Sequence, residues 1–398
     1  MTAPRAVLLL CWRDTRHPQG GGSETYLERV GAELVRAGVA VTYVTAAYPG
    51  AAREESRDGM RFVRAGGRIT VYPRVLGMLL AARWGRGRLA GSKPSAIVDT
   101  QNGVPFFASL LAGAPTVVLV HHCHREQWPV AGRALGRLGW MLESRVSPWV
   151  HRTNHYVTVS APSRQELIGL GVDAERITVI HNGIDPLPDG AERQPAGAER
   201  QPADADAPVR LCVLSRLVPH KRVEHALAVV ADLRRAGCDV ELDVIGGGWW
   251  DEQLRCAADS LGVSAAVTFH GHVDEASKHR ILAQARVHLM PSRKEGWGLA
   301  VIEAAQHRVP TIGYRSATGL AESIDDGVTG ILVDGIDELI SATRKLVDDA
   351  DECARLGEAA AQHAGRYSWQ ATGREMLTLL AQVSGAAIPQ HTDQPVRR

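Results

Sequence analysis

The chain has 398 residues, 45 basic and 44 acidic side chains, and a formal net charge of +1. This length accommodates two domains, and so even a charge balance excludes a protein that mainly coats nucleic acid, which needs a surplus of phosphate-neutralising cations. The six cysteines (Cys11, Cys123, Cys212, Cys238, Cys256 and Cys353) form no C-x-x-C pair, which argues against a zinc or disulfide framework and for free thiols in a reducing, cytoplasmic compartment.

The first predicted element is a strand over residues 6–10, an apolar run too short for a signal peptide or a membrane span. A helix follows over 23–37, with Leu27, Val30 and Leu34 on one face, Ser23 as its cap and Gly38 as its stop. Residues 39–45, 96–99, 116–120 and 155–160 read as further strands. They are near-continuously apolar, as strands covered on both faces of a parallel sheet should be. Residues 190–203 then repeat Gly-Ala-Glu-Arg-Gln-Pro-Ala twice, a composition with no apolar face that reads as a linker. Asp204 and Asp206 at its end form an Asp-x-Asp pair, a poor metal site in so flexible a setting. The alternation resumes with strands at 209–215, 241–245, 266–269, 287–290, 311–313 and 331–333. A helix over 223–236 carries Val223, Leu227, Val230 and Leu233 on one face and ends at Gly237. The expected fold is α/β: two Rossmann-like halves, 1–185 and 209–366, joined by a linker at 186–208. The carboxyl ends of their strands, where such sheets bind ligands, are expected to face each other across a cleft.

The most informative stretch is Lys294-Glu295-Gly296-Trp297-Gly298-Leu299-Ala300-Val301-Ile302-Glu303. Gly296 and Gly298 let the backbone turn tightly against a ligand. A helix starting at Leu299 aims its unpaired N–H groups and positive dipole end at the loop, which suits a phosphate. Glu303, about one turn into that helix, is placed to accept hydrogen bonds from hydroxyls of the same ligand. Phosphate and diol together describe a nucleotide sugar. Arg216 and Lys221 follow the first strand of the second half and suit a diphosphate, one as a fork and one as a point charge. Gly246, in a Gly-Gly-Gly turn, and Val273, after the next strand, offer backbone close to a nucleotide. In the first half, Gly21 and Gly22 lie in the glycine turn before the first helix, without the G-x-G-x-x-G order of a dinucleotide fingerprint. Asn182-Gly183 marks a turn at the joint. The run His121-His122-Cys123-His124 follows the strand at 116–120. Adjacent strand-end histidines point apart and no nearby Cys or Asp completes a metal set, so one histidine bonding a sugar hydroxyl is preferred.

These residues, taken in order, resemble the retaining glycosyltransferases of family GT4, which have the GT-B fold. The resemblance covers nearly the whole chain. It rests on Gly20–22, Asn182-Gly183-Ile184-Asp185, Arg216, Lys221, the E-x7-E pair Glu295 and Glu303, Arg308-Val309-Pro310 and residues 319–333. It implies that Arg216 and Lys221 bind the donor diphosphate and Glu303 the ribose. Glu295 and the following amides would contact the donor sugar and phosphate. His121 or His122 would touch the donor sugar, so His121, His122 and Glu295 are the candidate catalytic groups. It also implies an acceptor domain at 1–185, a donor domain at 209–366, a helix over 367–385 crossing back to the first domain, and a disordered tail at 386–398. Ser215 and Arg308 stand where the family often has glycine, and Ala300 replaces a frequent proline. These departures bear on donor identity more than on activity.

The implied reaction moves a sugar with retention from a nucleotide-diphosphate sugar to a hydroxyl acceptor, with no metal and no other cofactor. A nucleotide-sugar epimerase and a non-catalytic binding module are the competing expectations. Residues 75–93 and 131–146 mix apolar side chains with arginines and hold a single acid, Glu143. They suit either peripheral contact with an anionic membrane or packing on the N-terminal sheet.

Overall fold

The computed structural model describes residues 4–125, 128, 132–188 and 207–385. The duplicated heptad, Asp204, Asp206, the linker core and the tail at 386–398 lie outside them. Among the described residues the chain divides into two compact units, one up to Gly183 and again from Ser368, the other Ile184–Tyr367.

The first unit opens with β1 (Ala6–Leu10), α1 (Gly22–Arg36), β2 (Ala40–Thr45), β3 (Glu54–Arg57), β4 (Met60–Arg64), α2 (Val71–Arg83) and β5 (Ala96–Thr100). It continues with β6 (Thr116–Val120), α3 (Arg133–Met141), α4 (Ser147–Val150), β7 (His155–Thr158), α5 (Ala161–Gly169) and β8 (Ile177–Val179). The sheet runs β3-β4-β2-β1-β5-β6-β7-β8, parallel except for the β3/β4 hairpin. That hairpin was not expected from the sequence. Its signal is Asp58-Gly59, both at positive φ, the pairing that a tight two-residue hairpin turn requires. Strand β7 ends before the expected 160 because the Ser160 hydroxyl caps α5, accepting from Ser163 N. The cap of α1 is Gly21 rather than Ser23: Glu24 reaches back to accept from Gly21 N at 2.8 Å, an arrangement that satisfies the helix-entry donors without the serine.

The second unit contains β9 (Val209–Leu214), α6 (Val223–Arg235), β10 (Val240–Ile245), α7 (Asp251–Ser260), β11 (Val267–Gly271), α8 (Glu275–Gln284) and β12 (Val287–Met290). It is completed by α9 (Leu299–Gln306), β13 (Thr311–Tyr314), α10 (Leu320–Ser323), β14 (Gly330–Val333), α11 (Ile336–Asp348) and α12 (Ala350–Ala364). The all-parallel order β11-β10-β9-β12-β13-β14 places the reversal of strand order between β9 and β12. Ligands of doubly wound sheets bind outside the carboxyl ends at such a switch point. His288 stitches this seam: its Nε2 accepts from Leu214 N at 3.4 Å and its Nδ1 lies 3.0 Å from the Thr311 hydroxyl.

The last helix, α13 (Trp369–Ser384), belongs to the first unit. Trp369, Met376 and Leu380 are buried, and a Cβ on Gly373 would clash with Glu33 of α1. Tyr26 of α1 meets the Trp369 ring edge-on at 6.0 Å.

Candidate functional site

In the second unit, the switch point gathers the segments after β9 and β12. The turn Pro219–Lys221 precedes α6, which starts only at Val223, so Lys221 sits in a separate turn and does not open the helix. Arg293 N donates to His220 O at 2.8 Å, and Lys221 Nζ reaches Glu295 Oε1 at 2.5 Å, with both side chains largely buried. Gly298, at φ +90°, turns the chain into α9. A Cβ on Gly319 would clash with the Glu295 and Gly296 backbone, so residues 319–320 brace the loop from behind.

Glu303 lies in α9 with its side chain 16% exposed, bonded to Lys278 Nζ at 2.7 Å. Burial raises its pKa, and the Lys278 charge pulls the other way. Burial also works against the Lys278 charge, but Glu303 and Glu275 outweigh it, so its pKa is raised. Lys278 was not expected. Its signal is only a lysine one turn into a helix whose start, Asp274-Glu275, is acidic.

Lys221, Glu295, Gly296, Gly298, Leu299 and Glu303 therefore belong to one loop–helix assembly. Arg216 leaves β9 as an exposed side chain. Other candidates spend their side chains or conformational freedom on the fold. The Trp297 indole is buried edge-on against Tyr367, 4.7 Å away. Val273 packs on the cluster of Cys212 and Ile245. A Cβ on Gly246 would clash with Ser215 O, and one on Gly248 with Leu217 O. The close approach at Gly246 is thus to the protein's own backbone.

In the first unit, the turn before α1 is held by buried charge. Glu24 accepts from Arg13 Nε at 3.0 Å and Asn102 Nδ2 at 3.2 Å, besides Gly21 N. Asp14 pairs with the buried Arg64, and Glu28 accepts from Thr15 and forms an ion pair with Arg57. Gly22 has open space beside its Cα. His121 ends up 8% exposed, and neither ring nitrogen has a hydrogen-bond partner among the described residues. Burial lowers its pKa to about 3, so it is neutral at physiological pH and can both donate and accept. His122 is half-buried and meets the His124 ring at 4.5 Å. Asn182 is buried beside Gly183, where a Cβ would clash with the Trp369 backbone. No group of three or more His, Cys, Asp or Glu side chains able to hold a metal occurs among the described residues.

Two family models match the chain: Glycosyltransferase Family 4 over residues 20–186 and Glycosyl transferases group 1 over 198–363. A GDP-mannose-dependent alpha-(1-6)-phosphatidylinositol monomannoside mannosyltransferase of Mycolicibacterium smegmatis is 31% identical over 391 residues, covering 92% of this chain and 96% of the relative. A glycogen synthase of Mycobacterium tuberculosis is 32% identical over 265 residues, 65% of this chain and 61% of its own. Among solved structures, sucrose-phosphate synthase from Thermosynechococcus elongatus superposes with a TM-score of 0.76 at 19% identity, covering 96% of this chain and 99% of its own. Anabaena HepE in complex with UDP and glucose does so with a TM-score of 0.71 at 18% identity, covering 94% and 99%. At such identities these likenesses establish the fold alone. The matched models, the nearly full-length relative and the two Rossmann-like units lead to one conclusion: the chain belongs to the family 4 glycosyltransferases of GT-B fold, which use nucleotide-sugar donors.

Proposed function

We propose that this protein is a retaining, metal-independent mannosyltransferase that moves mannose from GDP-mannose to a hydroxyl of a phosphoinositol-type glycolipid at an anionic membrane. The observation that carries donor and acceptor is the likeness to the mycobacterial mannosyltransferase over nearly the full length of both chains. The arrangement at the switch point supports the chemistry. Arg216 and Lys221 would face the diphosphate together with the first amides of α9, and Glu303 would accept the ribose hydroxyls. Preorganised positive charge of this kind stabilises a leaving diphosphate and fills the role a divalent ion has elsewhere. The acceptor hydroxyl would attack from the leaving-group face and hand its proton to a donor phosphate oxygen, so no protein base is assigned and no cofactor beyond the donor is required.

Membrane contact draws support from α3. Its apolar side chains face outward: Leu135 is 55%, Leu138 48% and Met141 43% exposed. The side turned inward carries Gly136, Gly139 and, beyond the helix end, Glu143. Arg133, Arg137 and Arg145 are exposed beside the apolar edge. By contrast α2 buries Val71, Val75 and Leu79 in the N-terminal core. Packing therefore accounts for α2 in the first basic segment, with Trp84 just past it 70% exposed, and leaves the second with an unpacked apolar edge. Among the described residues no helix is long and apolar enough to cross a membrane.

The test incubates the protein with GDP-mannose or UDP-glucose and phosphatidylinositol monomannoside in vesicles, with and without EDTA. The expected result is an α-linked dimannoside from GDP-mannose alone, unaffected by chelation. Equal use of UDP-glucose, a β-linked product, or loss of turnover restored by magnesium would each overturn the corresponding part. Conversion of the donor sugar without acceptor would instead indicate an epimerase.

A further inference from the structure

Glu143 is fully buried, although it lies on the helix whose neighbouring side chains are exposed. It sits in a π turn, Leu142–Val146, that interrupts the helical run between α3 and α4. A buried carboxylate is costly unless hydrogen-bonded, and π turns are rare and concentrated at functional positions. The partners of this carboxylate come from the segment after β6. Oε1 accepts from His124 N at 2.9 Å and lies 3.1 Å from His124 Nδ1. Oε2 accepts from the Trp128 indole N–H at 2.5 Å. The Trp128 ring occupies the space where Gly139 lacks a side chain; a Cβ there would clash with it. Gly139 and Glu143 lie four residues apart on one face, so the same strip of helix receives the ring and its N–H.

The neighbouring histidines are held in series. The His124 ring meets the His122 ring at 4.5 Å, Glu166 Oε2 accepts from Cys123 N at 3.1 Å, and the Ser163 hydroxyl donates to His121 O at 2.9 Å. Helix α5 thus fixes the backbone at 121 and 123, while Glu143 fixes both backbone and ring at 124. A carboxylate orients the His124 ring, and the His124 ring in turn touches that of His122.

We propose that Glu143 is a positioning residue of the transferase: acting through His124, it sets the orientation of His122 and of the histidine segment that carries His121. The proposal rests on the reading of His121 or His122 as the contact of the transferred sugar. Glu143 itself touches none of the reacting groups.

The test compares wild type with Glu143→Gln, Glu143→Asp, Trp128→Phe, His124→Asn and the Glu143→Gln/His124→Asn double variant. The readouts are histidine-selective 15N NMR and mannosyl transfer from GDP-mannose. Glu143→Gln should move the ring resonances of His124 and His122 and leave that of His288, in the other unit, in place. It should lower kcat by about tenfold or more, as misplacement of a contact does, with GDP affinity within about twofold of wild type. The double variant should be no slower than the slower single one, since both lie on one chain of contacts. Glu143→Asp should recover part of the loss. If Glu143→Gln does not fold, Trp128→Phe keeps the ring over Gly139, removes one N–H donor, and should show the same pattern at smaller size. Unmoved His122 and His124 resonances, losses that multiply in the double variant, or a fall in turnover that only tracks the folded fraction would overturn the proposal. A wild type that transfers no mannose would count against the donor assignment, while the resonances would still decide the role of Glu143.

Discussion

At the residue scale, the contact between Lys221 and Glu295 means that a diphosphate bound as proposed, at the start of α9, would compete with Glu295 for the same ammonium. Removing the competitor and removing the cation should therefore act in opposite directions. Glu295→Gln is expected to tighten GDP binding, because it releases Lys221 and deletes a negative charge beside the diphosphate, while lowering turnover. Lys221→Ala and Arg216→Ala should each weaken GDP binding by about 1.5–3 kcal/mol, roughly 10- to 150-fold, and reduce kcat as well, since leaving-group charge grows in the transition state. Titration calorimetry on the three variants checks both signs; unchanged affinity in both cation variants would remove the clamp. Glu303 adds a pH dependence. Its pKa is raised by burial, so the ionised form, which on the proposed reading accepts the ribose hydroxyls, is lost on acidification sooner than for an ordinary glutamate. GDP affinity should accordingly fall as pH drops, starting above the usual carboxylate range. A 2′,3′-dideoxy analogue should lack that decline. Lys278→Met should move the onset to higher pH still, because the nearest charge opposing the shift is gone.

At the scale of elements, the orientation of α3 could not have been inferred from its residue pattern. Leu135, Leu138 and Met141 recur at helical spacing beside arginines, and that spacing serves equally for a core face or a bilayer face. Tertiary packing decides, because Gly139 allows the Trp128 ring to come closer than leucine would permit, which turns the leucines outward. Replacing Leu135, Leu138 and Met141 with serine should therefore leave thermal stability nearly unchanged and reduce binding to anionic vesicles by about tenfold or more. Wild-type binding should weaken as salt rises. A large loss of stability in this variant would mean that the edge packs against protein. The glycine turns teach the same lesson in the other direction. Gly246 has the composition of a phosphate-approach loop, yet its freedom serves contact with Ser215 O. A flexible sequence reveals that a close approach is allowed, and not which atom is approached.

At the scale of the whole molecule, buried titratable groups couple stability to pH. His121 and His288 have pKa values lowered to about 3, and His151 to about 4, all chiefly by desolvation. A lowered folded-state value means that the unfolded chain binds more protons below about pH 6.5. Each histidine then removes on the order of 1.4 kcal/mol of stability per pH unit on acidification between 6.5 and its folded value. Asp99 acts oppositely. Burial raises its pKa to about 6 while Ala108 N and Phe106 N pull it down, so protonation between about pH 6 and 3.8 favours the fold and cancels roughly one histidine. The net expectation is a urea midpoint that falls from pH 7 to pH 5, more steeply below about pH 6.5 than above it. A flat midpoint over that range would contradict neutral burial of these rings.

The sequence by itself determined the two-sheet α/β plan, because apolar β-branched runs at regular intervals admit little else than strands covered on both faces. It also determined the main pieces of the loop–helix assembly, since the loop 295–298, α9 and Glu303 are contiguous and their geometry follows from helix rise alone. Lys278 and Glu143 were left for the tertiary structure to reveal. Both act on residues 25 and 19 positions away, and a contact across that distance is fixed by packing, not by any local period. The position of the switch point was decided in the same way. Strand order depends on which crossover each β-α-β unit takes, and only the paired sheet, with β9 beside β12, brings Lys221 to Glu295.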